Sequence, residues 1–187
     1  PTDERVVEVM APYFSEIYGN SSSSHSFGRA AENAIEDARE VIANVFNCKP
    51  AEIIFTSGGS ESDNLAVRGA AWGARAAGRG QHLITTPVEH SAVTRTVSQL
   101  SDAMGFESTL LPVDHTGLVD PEDFAGACHE GTTFASVIYG NNEIGSITRL
   151  PQLAQMAHER GVVLHTDAVQ AAGQLTLDVE ALGVDMM

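Results

Sequence analysis

Strand-length apolar runs alternate with helix-length segments along most of this chain, and that rhythm limits the fold more than any single motif. His82–Thr86, Ser108–Leu111, Phe134–Tyr139 and Val162–His165 read as strands. Ser60–Gly78, Ser91–Met104, Pro121–Cys128 and Pro151–Arg160 fall between and around them and read as helices. Asp120 is placed to cap the third of these, with Pro121 at its first position, and Gly161 stops the fourth. Upstream, Val6–Ile17 reads as a short amphipathic helix and Tyr18–Ser26 as a polar loop. Phe27–Phe46 carries apolar residues at Ala31, Ala34, Ile35, Ala38, Ile42, Val45 and Phe46, a helical spacing. Ile53-Ile54-Phe55 is expected to form a short buried strand. Such alternation predicts an α/β fold of three layers, a mostly parallel sheet with helices on both faces. The expected organisation is an N-terminal helical segment over 1–20 and one large domain over 21–187. Val184–Met187 reads as the start of a further strand, so the sequence reads as cut there.

Charge excludes one function class. The formal net charge of -15 repels phosphate backbones, so no nucleic-acid partner is expected. No apolar run is long enough to span a bilayer, and Pro1–Met10 lacks a signal-peptide pattern, so no membrane partner is expected either. Cys48 and Cys128 do not make a disulfide framework, and the cytoplasm is the default compartment.

Four loops carry the chemistry. Phe55–Glu61, with Gly58, Gly59 and Ser60, joins an expected strand to a helix. It reads either as a phosphate cradle at a helix N-terminus or as a plain capped turn. It is neither a Walker A loop nor G-x-G-x-x-G. His90 follows one strand and could stack on an aromatic ligand or shuttle a proton; alone it reads as a surface histidine near a helix start. Asn141-Asn142-Glu143 lies between glycines and alone reads as a turn. Asp167 and Gln170 follow Val162–His165. An acid there serves as a helix cap, a metal ligand or the partner of a cation. No third ligand stands at metal spacing, so no metal is expected, and His165 reads as a packed histidine. Together the loops sit where strands exit toward helices, at one sheet edge, the place where open α/β sheets bind ligands. A phosphate cradle, a ring, amides and a lone acid suit a phosphorylated, cationic, aromatic cofactor better than a nucleotide.

These residues resemble the pyridoxal-phosphate-dependent cysteine desulfurases of the NifS/IscS type, within the class V aminotransferase group. The matching pieces are Tyr18–Asn20 through His25 and Gly28, Phe55–Asn64, Val88–His90, Asn141–Gly145 and His165–Gln170. The resemblance implies the large domain of a fold-type I pyridoxal-phosphate enzyme, incomplete at both ends. It implies pyridoxal 5'-phosphate as cofactor, with Asp167 on the pyridinium nitrogen, Gln170 on the phenolic oxygen and His90 stacked on the ring, assisting proton transfer. Gly59 and Ser60 would hold the phosphate, and Asn142 would lie beside the phenolic oxygen and the substrate carboxylate. The implied reaction takes L-cysteine to L-alanine and passes sulfur to an enzyme cysteine as a persulfide. The implied partners are a second copy in a homodimer and a sulfur acceptor, such as a scaffold protein for iron–sulfur clusters.

Two departures stand out: Ser21 replaces the family's usual proline and Ser60 its frequent threonine. The Schiff-base lysine and persulfide cysteine of the family have no match here. Lys49 is the single lysine and reads as a solvated loop cation, while Cys48 and Cys128 read as structural thiols. These residues alone are therefore expected not to turn over. The alternatives are a selenocysteine lyase or other class V enzyme, a non-catalytic scaffold or dimerisation module, and a nucleotide- or sugar-phosphate-binding domain.

Overall fold

The computed structural model describes residues 1–187, which divide into two compact units, Pro1–Ile54 and Phe55–Met187. The first unit is helical. Helix α1 (Glu4–Met10) starts at Asp3, whose carboxylate accepts the Arg5 N–H, and a 3-10 turn (Ala11–Phe14) extends it. Helix α2 (Ser26–Phe46) starts at His25, whose Nδ1 accepts the Gly28 N–H at 3.1 Å, and ends at Asn47 in the left-handed conformation. The strand expected at Ile53-Ile54-Phe55 does not form. Ile53 is extended, with φ -85 and ψ 126, but the segment joins no ladder, and Ile54 and Phe55 are 69% and 48% exposed. An apolar triplet supplies strand conformation; only a neighbouring strand supplies hydrogen bonds and burial.

The second unit is the expected α/β sandwich. Strands β1 (His82–Thr85), β2 (Glu107–Leu110), β3 (Thr132–Ser136) and β4 (Val163–His165) form one parallel sheet in the order β2-β1-β3-β4. Both central strands are fully buried, as strands covered on both faces of a parallel sheet are, whereas β2 is a largely exposed edge. Alternation sends Leu83 and Phe134 to one face, against α3 (Gly59–Ala76) and α4 (Ser91–Met104) through Val67, Ala71, Val93, Val97 and Leu100. Ile84, Ala135 and Leu164 face the other way, onto α5 (Pro121–Ala127) and α6 (Leu150–Glu159) through Phe124, Leu153, Ala154 and Ala157. Asp120 caps α5 as its sequence position predicts, accepting the Glu122 N–H.

Helix α7 (Val179–Leu182), too short to show a period, was not anticipated. After it, the Thr166 N–H bonds the Met186 carbonyl at 3.0 Å and His165 bridges Met186 in parallel. The last residues thus add to the sheet beside β4, as their apolar pattern predicts.

Candidate cofactor-binding site

The site grows from the carboxyl ends of the strands. Asp167 follows β4 and is 7% exposed. Its Oδ1 accepts the Val169 N–H at 2.9 Å, which turns the chain sharply, and Oδ2 receives no hydrogen bond from the protein. That oxygen keeps access to solvent at the sheet edge and is open to a cationic or N–H partner. Gln170 lies exposed in the same turn.

His90 follows β1 and caps α4: its Nδ1 accepts the Ala92 N–H at 3.2 Å. A neutral ring held this way carries its proton on Nε2. The ring itself is exposed, so the helix-start and ligand-facing readings are both compatible with its placement.

At the start of α3, the Ser57 N–H and hydroxyl both bond Glu61 Oε2 at 2.6 Å, folding the loop back over the first turn. The N–H groups of Gly59 and Ser60 stay without an intramolecular acceptor, as the first amides of a helix do, and suit an anion. A Cβ on Gly59 would come 2.7 Å from Val169 Cγ2. Glycine is what lets the α3 start sit directly on the Asp167 turn.

The turn after β3 is fixed by Asn141. Its Oδ1 accepts the Glu143 and Ile144 N–H groups at 2.8 and 2.9 Å, and its Nδ2 donates to the Val88 carbonyl at 2.8 Å. That bond ties the turn to the loop carrying His90 and leaves the neighbouring Asn142 exposed and unbonded.

Sequence reasoning gave no role to Asp63, in α3, or to Glu89. Asp63 is 3% exposed, and one ligand atom each from Asp63, His90 and Asp167 lies within 4.8 Å of the others. Burial raises the Asp63 pKa to about 6, the Asp167 charge adds to the rise and His90 opposes it. Two buried carboxyls so close favour a proton or a bound cation between them. Glu89 is pushed up to about 7, chiefly by burial, against the hydrogen bonds it accepts. His165 is 1% exposed, and burial lowers its pKa to about 4. Its Nε2 lies 3.7 Å from Asp63 Oδ1, but a ring so hard to protonate makes this contact polar and not an ion pair. The signal for Asp63 was present: it falls in the stripe of Val67, Ala71 and Ala74 on α3, an acid where the period predicts an apolar residue.

The remaining candidates lie in less reactive settings. Burial raises the Cys128 thiol pKa, and burial with the Glu52 charge raises that of Cys48, so neither is disposed to ionise. Lys49 is exposed, 3.9 Å from Glu52.

Comparison with known proteins gives a consistent result. The sequence profile of the aminotransferase class-V family matches residues 1–187. The chain is 46% identical to the cysteine desulfurase IscS of Neisseria meningitidis over 188 residues, covering 100% of this chain and 46% of that protein. It is 45% identical to the cysteine desulfurase IscS of Dictyoglomus turgidum, covering 100% and 47% respectively. Among solved structures, a NifS-like protein superposes with a TM-score of 0.93 at 36% identity, over 98% of this chain and 50% of that one. SspA in complex with cysteine also superposes with a TM-score of 0.93, at 34% identity, over 100% and 53%. The chain spans about half the length of the curated relatives it matches.

Proposed function

Because this chain belongs to the aminotransferase class-V family, we propose that it is the cofactor-binding portion of a pyridoxal-phosphate-dependent cysteine desulfurase. The cofactor-binding large domain, taken as residues 21–187, contains every residue to which a role is given. The observation that carries the reading is Asp167: a buried carboxylate with one oxygen committed to its own turn and the other free. A protonated pyridine nitrogen supplies both the N–H and the positive charge that this oxygen lacks. The unbonded amides of Gly59 and Ser60 suit the cofactor's phosphate. The residues present therefore fit the group. When bound, pyridoxal phosphate supplies an electron sink at the amino-acid α-carbon.

The chain's own residues act around that sink. Asp167 holds a proton on the pyridine nitrogen. His90, its Nδ1 committed to the α4 cap, offers a ring face for stacking and an Nε2–H for proton transfer. Gln170 and Asn142, both with unbonded amides, bind the phenolic oxygen, and Asn142 also reaches the substrate carboxylate. The substrate is L-cysteine, a reading supported by the cysteine complex of one structural neighbour. The products are L-alanine and sulfur passed on as an enzyme persulfide to an acceptor for iron–sulfur clusters. A homodimer in the cytoplasm completes the proposal. Lys49 is the one lysine among these residues, so by themselves they bind cofactor without turnover.

Titration with pyridoxal phosphate, followed by ligand absorbance and Trp72 fluorescence, tests the assignment. Asp167→Ala should weaken binding on the order of ten- to a hundredfold, the worth of one charge-assisted hydrogen bond. Undiminished affinity in that variant, with folding intact by circular dichroism, would remove the role given to Asp167. In a longer chain that supplies the Schiff-base lysine and the persulfide cysteine, alanine formed from L-cysteine, compared with selenocysteine, tests the substrate.

A further inference from the structure

Behind Asp63 the interior holds a row of polar groups that the proposed chemistry does not use. Glu89 is 9% exposed; its Oε1 accepts the Ile138 N–H at 2.6 Å and the Thr86 hydroxyl at 3.0 Å. Its Oε2 faces Ser136 Oγ at 3.5 Å, and that Oγ lies 2.9 Å from His165 Nδ1. His165 Nε2 in turn lies 3.7 Å from Asp63 Oδ1, a polar contact longer than a hydrogen bond that proton passage must shorten. Ser136 and His165 are buried, at 0% and 1% exposure. Two carboxyls, one after β1 and one on α3, thus bracket a hydroxyl from β3 and an imidazole from β4.

Counting protons limits the states of this row. Ser136 has one hydroxyl proton and a neutral imidazole has one N–H. Suppose Ser136 donates to Glu89. Then Glu89 is a carboxylate, Ser136 Oγ accepts from Nδ1–H, and Nε2 turns a lone pair toward Asp63, which must carry a proton. Suppose instead that Ser136 donates to Nδ1. Then its lone pairs face Glu89, which must be the protonated acid, and Nε2–H points at an Asp63 carboxylate. Other assignments set lone pair against lone pair or bury an imidazolium.

We propose that Glu89, Ser136, His165 and Asp63 form a buried relay that holds one carboxyl proton, seated on Glu89 or on Asp63, and so sets whether a negative charge stands beside Asp167. Transfer balances without an outside donor. Glu89 gives its proton to Ser136 Oγ, Ser136 gives its own to Nδ1, and the Nε2 proton passes to Asp63. The net charge is constant, and the imidazole changes tautomer. Asp167 and His90 are the other titratable groups gathered at Asp63. The relay residues are positioning residues, acting on a ligand through Asp167. The relay is a property of the protein alone; its effect on a cofactor rests on the function proposed above.

Nitrogen-resolved NMR of His165 in the full chain, at neutral pH and without cofactor, reads the relay directly. The wild-type ring should be neutral and exchange between both tautomers. In Glu89→Gln the amide oxygen stays on Ile138 and Thr86, which leaves the NH2 toward Ser136. The ring should then shift wholly to the Nε2–H tautomer. Infrared spectroscopy should show one buried protonated carboxyl in the wild type, lost in Glu89→Gln. An unchanged tautomer or a persisting carboxyl signal in that variant overturns the proposal. So does an imidazolium, or the absence of any protonated carboxyl, in the wild type, should the variant fail to fold. Neither readout needs pyridoxal phosphate, so failure of cofactor binding and failure of the relay are told apart.

Discussion

His90 serves two masters at residue scale, and substitution separates them. Its Nδ1 caps α4, a task that asparagine performs at least as well, while its ring is what a flat ligand would stack on. His90→Asn should therefore leave stability within about 0.5 kcal/mol of wild type and still lower pyridoxal-phosphate affinity. His90→Ala should also lose about 1 kcal/mol of stability in urea denaturation. Glu89 gives a pH prediction. Its folded pKa, about 7, lies above the ordinary 4.5, so the folded state retains a proton that the unfolded state has released. Between those values stability falls as pH rises, and above about 7 the loss is complete. Asp63, raised from 3.8 to about 6, adds to the fall up to that point. His165, lowered from 6.5 to about 4, opposes both: its contribution grows as pH rises between its two values. Glu89→Gln removes the fall that Glu89 contributes between about pH 4.5 and 7. Urea denaturation at pH 5 and pH 8 should show the variant gaining on the wild type as pH rises; a constant difference would contradict the assignment.

Elements differ in how far their residues announced them. The α4 boundaries, Ser91–Met104, were legible in the sequence, and the structure closes them with the His90 cap and a left-handed Gly105. The central strands were legible because short segments with β-branched and aromatic residues recur between the helices. Ile53–Phe55 misled because conformation is local and pairing is not. Helix α7 was missed because four residues carry no period. At the site, the loops with glycines, amides and His90 could be picked out by their chemistry. Glu89 acts through neighbours distant in the chain, which nothing local marks, and Asp63 shows only as an acid in the apolar stripe of α3. Glycines supply an element-scale prediction. Gly69 lies inside α3 with open space where a Cβ would go, so Gly69→Ala should stabilise the fold by about 0.5–1 kcal/mol. A Cβ on Gly28, in α2, would fall 2.2 Å from the Ser23 carbonyl oxygen. Gly28→Ala should cost roughly 1–3 kcal/mol, and thermal unfolding of the two variants should move in opposite directions.

At the scale of the whole molecule, burial is unequal. The helices of the first unit bury only Gly28 and Ala43, and Ile35, Val41 and Val45 of α2 stay exposed. The second unit owns both apolar clusters, on either side of the sheet. Amide protection follows apolar burial. Hydrogen exchange should therefore be slowest in β1, β3 and α4 and at least tenfold faster in α1 and α2. Equal protection in α2 and β3 would contradict this ranking.

The strand order β2-β1-β3-β4 has one more consequence. From the adjacent pair β1 and β3, the chain leaves in opposite directions: through α4 to β2 on one side, through α6 to β4 on the other. The two crossovers part company, and a crevice opens at this topological switch point whatever side chains line it. His90 stands on one bank and Asn142 on the other. Each bank belongs to a separate connection, so insertions or substitutions in either loop can recut the crevice for a different ligand while the strands beneath keep their register.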